Sequence, residues 1–169
     1  MVRYVSTRGG EGAASLGEAA RLGWAPDGGM LLPERVPEAP LGRWRGLAYP
    51  ALVLEVLALF AAGDDDALDR PLLATAVERA FRKELWPPPE VVPVVKTRLG
   101  GGQVVHVSEL FHGPSLAFKD LGMQVLVNAL SLMLAKRDER LTLLVGTSGD
   151  TGSSAVSLWF SDDANSSSR

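Results

Sequence analysis

From Ala51 to Ala62 the chain is apolar at every position except Glu55. Pro50 suits a first turn and Gly63 a C-terminal cap, so the run predicts a fully buried helix over about 50–62. A second pattern places Leu72, Leu73, Ala76, Val77, Ala80 and Phe81 on one helical face and predicts a helix over 71–85. A third sets Leu121, Val125, Leu126, Ala129, Leu132 and Met133 on the buried side of a helix over 118–136. Short apolar runs at Val91–Val95 and Val104–Val107 flank Leu99-Gly100-Gly101-Gly102 and read as strands around a turn. Leu141-Thr142-Leu143-Leu144-Val145 has the character of a buried parallel strand, with a glycine-rich turn and a helix start near 151 behind it. Near the N-terminus a short strand at Arg3-Tyr4-Val5 precedes a Pro/Gly-rich turn at 25–33.

This alternation predicts an α/β fold with a parallel sheet and flanking helices in the second half, behind a small, mostly helical N-terminal unit. Pro87-Pro88-Pro89 is the best boundary, giving domains at 1–86 and 90–160. After Leu158-Trp159-Phe160 the polar, low-complexity stretch 161–169 reads as a disordered tail. If no further strands follow, Leu141–Val145 becomes an exposed apolar edge, and the chain alone is expected to be poorly soluble, oligomeric or partly molten.

Two segments bring candidate chemistry. Lys119 stands in Leu110-Phe111-His112-Gly113-Pro114-Ser115-Leu116-Ala117-Phe118-Lys119-Asp120-Leu121, an apolar, kinked loop running into a helix. Burial and a helix N-terminus favour the nucleophilic amine that Schiff-base chemistry with an aldehyde cofactor requires. A lysine that packs its stem and lifts its head to water fits the local sequence too, and by itself the local sequence favours it. Gly146-Thr147-Ser148-Gly149-Asp150-Thr151-Gly152, between strand and helix, fits an anion site: free backbone N–H groups and the hydroxyls of Thr147, Ser148 and Thr151 can donate to a carboxylate or phosphate. Thr147 with Asp150 also fits a capping box, which would make the segment only a well-capped helix start. The loop is not a Walker A motif, lacking Gly-Lys-Ser/Thr, nor a Gly-x-Gly-x-x-Gly fingerprint. It is no nucleophile elbow either, because Asp150 stands where a glycine is required after Ser148.

Both segments resemble the threonine synthase family, pyridoxal-phosphate enzymes of the tryptophan-synthase-β-like fold. Tyr4-Val5-Ser6-Thr7-Arg8-Gly9 and Ala25-Pro26-Asp27-Gly28-Gly29-Met30-Leu31-Leu32-Pro33 resemble the family's opening segment, and the similarity runs from about Tyr4 to Val156. The resemblance implies the start of that fold, with Lys119 as the catalytic lysine that carries pyridoxal 5'-phosphate. It further implies that Phe118 and the segment Ser148-Gly149-Asp150-Thr151 lie against the cofactor. Thr147, Ser148 and Thr151 would receive the substrate's α-carboxylate, and Asp150 takes the place that related enzymes fill with asparagine near the cofactor's 3′-oxygen. The implied reaction converts O-phosphohomoserine and water to threonine and phosphate, with the Lys119 amine as general base. Animal threonine synthase-like phospho-lyases, which form 2-oxobutyrate, share these motifs and remain an alternative. So does a truncated, non-enzymatic interaction or signalling protein.

Family members are several hundred residues long, and their Gly-Asn-aromatic-Gly phosphate loop lies downstream. Neither Asn128 nor Asn165 matches it, so the chain is expected to be an N-terminal fragment, inactive alone. The 169 residues are 46% hydrophobic with a net charge of −3, a balance that excludes the basic face of a nucleic-acid binder. No cysteine is present, which excludes disulfides, thiol nucleophiles and thiolate metal sites. His106 and His112, on a strand and a turn, make no metal site: His112 is read as shaping the cofactor loop and His106 as structural. The expected partner is a small amino-acid phosphate, with neither nucleic acid nor membrane, and with self-association open. Only Met1-Val2-Arg3 precede the first motif, so the cytosol is the expected compartment, or a plastid if the gene model begins too late.

Overall fold

A computed structural model describes residues 2–13, 15–63, 68–87 and 90–157. The proposed tail at 161–169, the end of the hydrophobic stretch at 158–160 and part of the proline linker lie outside them. The chain divides into two compact units. One holds the residues up to Glu78 together with Asn128–Leu141, the other Arg79–Val127 together with the residues from Thr142 onward.

In the first unit β1 (Tyr4–Ser6) pairs antiparallel with β2 (Leu31–Pro33), Val5 opposite Leu32. Between them lies α1 (Leu16–Leu22), which begins where Ser15 Oγ accepts the N–H of Glu18. Ser15-x-x-Glu18 is a capping-box spacing, so this unpredicted helix carried a readable signal. The turn before β2 is closed by Gly28 N–H to Ala25 O at 2.8 Å, with Gly28 at φ 76°. A single turn, α2 (Leu41–Trp44), precedes α3 (Tyr49–Phe60). Val2, Tyr4, Ala13 and Ala19 form a small core under the strand pair, and the Tyr4 hydroxyl donates to Phe60 O at 3.1 Å.

The expectation of a fully buried helix at 50–62 is not met: no residue of α3 is buried. Leu54 and Leu57 pack on the main core of this unit, and a helix apolar on all sides buries only the faces that have neighbours. That core is built around Leu73 and Ala76 of α4 (Arg70–Ala80), with Ala61, Leu68, Ala129 and Met133. The predicted apolar face of α4 is therefore the one that is buried. The helix stops at Ala80 rather than 85 because the Trp86 indole N–H donates to the Ala80 carbonyl at 2.8 Å, filling the acceptor that a further turn would have used.

In the second unit β3 (Val94–Arg98) and β4 (Val104–Ser108) form an antiparallel hairpin, Lys96 opposite His106. The turn is fastened by Leu99 N–H to Gln103 O, and Gly101 and Gly102 take φ 85° and 83°. These glycines set the register, which moves the first strand from the expected 91–95 to 94–98. Helix α5 (Asp120–Arg137) contributes its residues up to Val127 to this unit and the rest to the first. A further helix, α6, covers 150–157. The stretch 141–145, expected as a buried parallel strand, forms no strand and has no strand partner among the described residues. Leu144 is 93% exposed. A parallel strand is a product of its neighbours, and an apolar run without them has nothing to pair with.

Candidate functional site

Lys119 closes a short, tightly determined turn. Leu116 N–H donates to Gly113 O at 3.0 Å, and Leu116 sits at φ 59°, a left-handed conformation that costs a branched residue about 1–3 kcal/mol. Its side chain is 72% exposed, so burial does not offset that cost. The restraint comes from Asp120, which is 0% exposed. Asp120 Oδ2 accepts the Ser115 N–H at 2.8 Å and Oδ1 the Ser115 hydroxyl at 2.7 Å. Gly113 leaves no room for a side chain: a Cβ there would stand 2.5 Å from Asp120 Oδ2 and 2.8 Å from Trp86 Cη2. Trp86 is itself buried against Phe81, ring centroids 5.5 Å apart.

Behind this turn the Lys119 carbonyl accepts the N–H groups of Gly122 and Met123, so Lys119 is the N-cap of α5. Its side chain is half-buried and its Nζ lies 3.7 Å from the Phe118 ring centroid, a cation–π distance. Upstream, His112 Nε2 and Glu109 Oε2 are 2.8 Å apart, and the imidazole stacks on Phe111. His112 thus braces the segment ahead of the turn. His106 is paired across the hairpin, away from this loop in sequence.

The glycine loop has its own brace. Thr147 Oγ1 accepts both Gly149 N–H and Gly152 N–H at 3.0 Å. This is not the expected capping box, because α6 begins at 150 and the threonine reaches beyond the cap position to the third helical residue. Gly149 takes φ 143°, open to glycine and strained for other residues. At Gly152 a Cβ would stand 2.6 Å from Thr147 Cγ2, so the close approach there is to the bracing threonine. The Gly149 carbonyl accepts the N–H and hydroxyl of Ser153. Among the described residues the hydroxyls of Ser148 and Thr151, the Asp150 carboxylate and the N–H groups of Asp150 and Thr151 make no internal hydrogen bond. They form a set of donors and one acid at an exposed helix N-terminus, where backbone dipoles favour an anion.

Both loops belong to the second unit, and Gln124 of α5 donates to Ser157 of α6 at 3.3 Å. No hydrogen bond or ion pair joins Lys119 to the glycine loop among the described residues. The apolar loop around Lys119 and the glycines and hydroxyls of 146–152 pointed to chemistry, while Phe118 and Asp150 were singled out only by the family resemblance. Asp120 and Ser115 were legible only as motif letters, since nothing in the sequence marks a serine as the partner of an acid five residues on. Among the described residues no three His, Cys, Asp or Glu side chains gather to hold a metal, and no helix is long and apolar enough to cross a membrane.

Residues 3–81 match the family model described as "Threonine synthase N terminus". The chain is 40% identical over 156 residues to human "Threonine synthase-like 2", covering 90% of this chain and 31% of that protein. It is 36% identical over 167 residues to the threonine synthase of Schizosaccharomyces pombe, covering 92% and 31%. It superposes on the crystal structure of PLP-bound threonine synthase from Brucella melitensis with a TM-score of 0.79 and 36% identity, over 92% of this chain and 32% of that one. The chain is similar to the N-terminal portion of threonine synthases and threonine synthase-like proteins. Its α/β fold corresponds to the N-terminal portion of threonine synthase structures, and it spans about a third of the length of the curated relatives it matches. The family match ends at 81, so Lys119 and the glycine loop lie beyond it. The threonine synthase similarity that reaches them is that of whole relatives.

Proposed function

We infer that this chain is the N-terminal part of a pyridoxal-phosphate-dependent threonine synthase, a lyase of amino-acid biosynthesis that converts O-phosphohomoserine and water to threonine and phosphate. The observation that carries the reading is Lys119: a half-buried amine at the N-cap of α5, at the end of a turn that Asp120 and Leu116 hold in one conformation. Such placement is what a lysine that engages an aldehyde needs, because the amine must meet the ligand in a single geometry. The residues present fit one end of the group. Lys119 would hold its aldehyde carbon, with Phe118, Gly149 and Asp150 beside the ring, and the donor set of Ser148, Thr151 and the Thr147 hydroxyl proton fits a carboxylate. Bound there, the cofactor supplies the electron sink for carbanion chemistry at the α and β carbons. The chain's own contributions are these: Lys119 Nζ takes and returns protons at those carbons, and the first turn of α6 orients the carboxylate.

The 40% identity to human "Threonine synthase-like 2" favours a second reading, a phospho-lyase that gives 2-oxobutyrate. An assay of the protein at the full length of its relatives for threonine against 2-oxobutyrate separates the two. For the chain itself the test is titration with pyridoxal phosphate, followed by the visible band, with Lys119→Ala as control. A saturable band absent from Lys119→Ala supports the reading. A band unchanged in that variant overturns the assignment of Lys119.

A further inference from the structure

We propose that Asp120 is a positioning residue, whose buried carboxylate locks the 113–120 turn and thereby sets where the neighbouring Lys119 amine points. Asp120 is 0% exposed and carries a charge-capable group, so its oxygens need partners of their own. Both partners are on Ser115, which closes a ring from Ser115 to Asp120 with Lys119 inside it. Three further features depend on that ring. Leu116 is held at positive φ on an exposed residue, a conformation that persists only where surrounding bonds dictate it. Gly113 is pressed against Asp120 and Trp86 where no Cβ fits. The carboxylate also opens the first turn of α5, where a negative charge suits the helix dipole, so one group anchors the turn and the helix together. Lys119 stands between two fixed backbone points, the Ser115–Asp120 ring and its own carbonyl bonds to Gly122 and Met123. Releasing the ring frees one of them.

The proposal deepens the assignment of Lys119 to pyridoxal phosphate and rests on it in one arm of the test only. The chain has four lysines, Lys83, Lys96, Lys119 and Lys136, so three serve as internal references. The first arm needs no cofactor: brief reductive methylation with formaldehyde and cyanoborohydride, with the modified sites quantified by peptide mass spectrometry. Asp120→Asn and Ser115→Ala should raise methylation of Lys119 relative to the other three by about threefold or more, as expected when one buried hydrogen bond is lost. Ser115→Thr, which keeps the hydroxyl, should restore the wild-type ratio. The second arm traps pyridoxal phosphate with borohydride and maps it. The same two variants should capture less at Lys119 while the small aldehyde captures more, a divergence that loss of packing alone would not produce. Circular dichroism accompanies each variant, and if Asp120→Asn does not fold, Ser115→Ala alone decides. An unchanged Lys119 methylation ratio in a folded variant overturns the proposal, whatever the cofactor does. If instead pyridoxal phosphate spreads evenly over all four lysines of the wild type while the methylation ratio shifts as expected, the positioning role stands and the cofactor assignment fails.

Discussion

Asp27 shows how a single residue can organise a segment. Its carboxylate accepts the Ser6 hydroxyl at 2.7 and 2.8 Å and the N–H groups of Gly29 at 2.8 Å and Gly10 at 2.9 Å, while Arg8 donates to its carbonyl. The Ser6 hydrogen bond foremost, then that from Gly29, holds its pKa below the usual 3.8. A depressed carboxylate adds stability that is fully present above the unfolded value and is lost as pH falls through the folded one. The contribution of Asp27 to the first unit should therefore be full above about pH 4 and be lost as pH falls below it. Asp27→Asn should lower stability at neutral pH and flatten that acid limb in a pH series of thermal melts. An acid limb as steep in Asp27→Asn as in wild type would remove Asp27 from the account. At Gly149, with φ 143°, alanine should cost about 1–3 kcal/mol, read as a drop in the midpoint of urea unfolding. The motif letters Asp27-Gly28-Gly29 and Phe118-Lys119-Asp120 were visible as likeness to a family. That Asp27 gathers Ser6 from 21 residues away, and that Asp120 takes Ser115, was not, because hydrogen-bond partners are chosen by folding back rather than by spacing.

At the scale of elements, helical periodicity read well wherever a core lay on one side. The face Leu73, Ala76, Val77 and Ala80 of α4 is the buried face, and Leu73 is 1% exposed. Leu73→Ala should cost about 2–5 kcal/mol through the cavity it opens, with the thermal midpoint falling accordingly. A loss under about 1 kcal/mol would mean that the core collapses around the gap. Helix α3 misled for the opposite reason: uniform apolarity says that a helix can be buried, not that a neighbour covers each face. The hairpin β3–β4 was found but misregistered, since short apolar runs do not mark where a glycine turn begins. Strand β2 and helix α1 are three and seven residues long, too short for periodicity, and only the Ser15–Glu18 cap announced the latter.

For the molecule as a whole, the exposed apolar residues Val94, Val95 and Val107 of the hairpin and Leu143 and Leu144 after Leu141 belong to the second unit. Two-stranded edges and exposed apolar side chains invite association. The chain should therefore elute from size exclusion as oligomers at micromolar concentration. Leu144→Lys should shift it toward monomer without lowering the thermal midpoint, because the Leu144 side chain buries nothing. A sharp monomer peak from the unsubstituted chain, with a cooperative melt, would contradict this.

The sequence by itself determined what is local: which residues share a helical face, which loops need glycine, and which motifs carry a lysine and a row of hydroxyls ahead of a helix. These follow from fixed geometry, 3.6 residues per helical turn and the φ angles open to glycine. The tertiary structure alone decided what depends on a neighbour: that α3 stays half-exposed, that 141–145 pairs with no strand among the described residues, that Thr147 braces its loop rather than capping in a box, and that Asp120 closes on Ser115 around Lys119. Burial and hydrogen-bond partnership are properties of pairs brought together by the fold, and no periodicity along one chain encodes them.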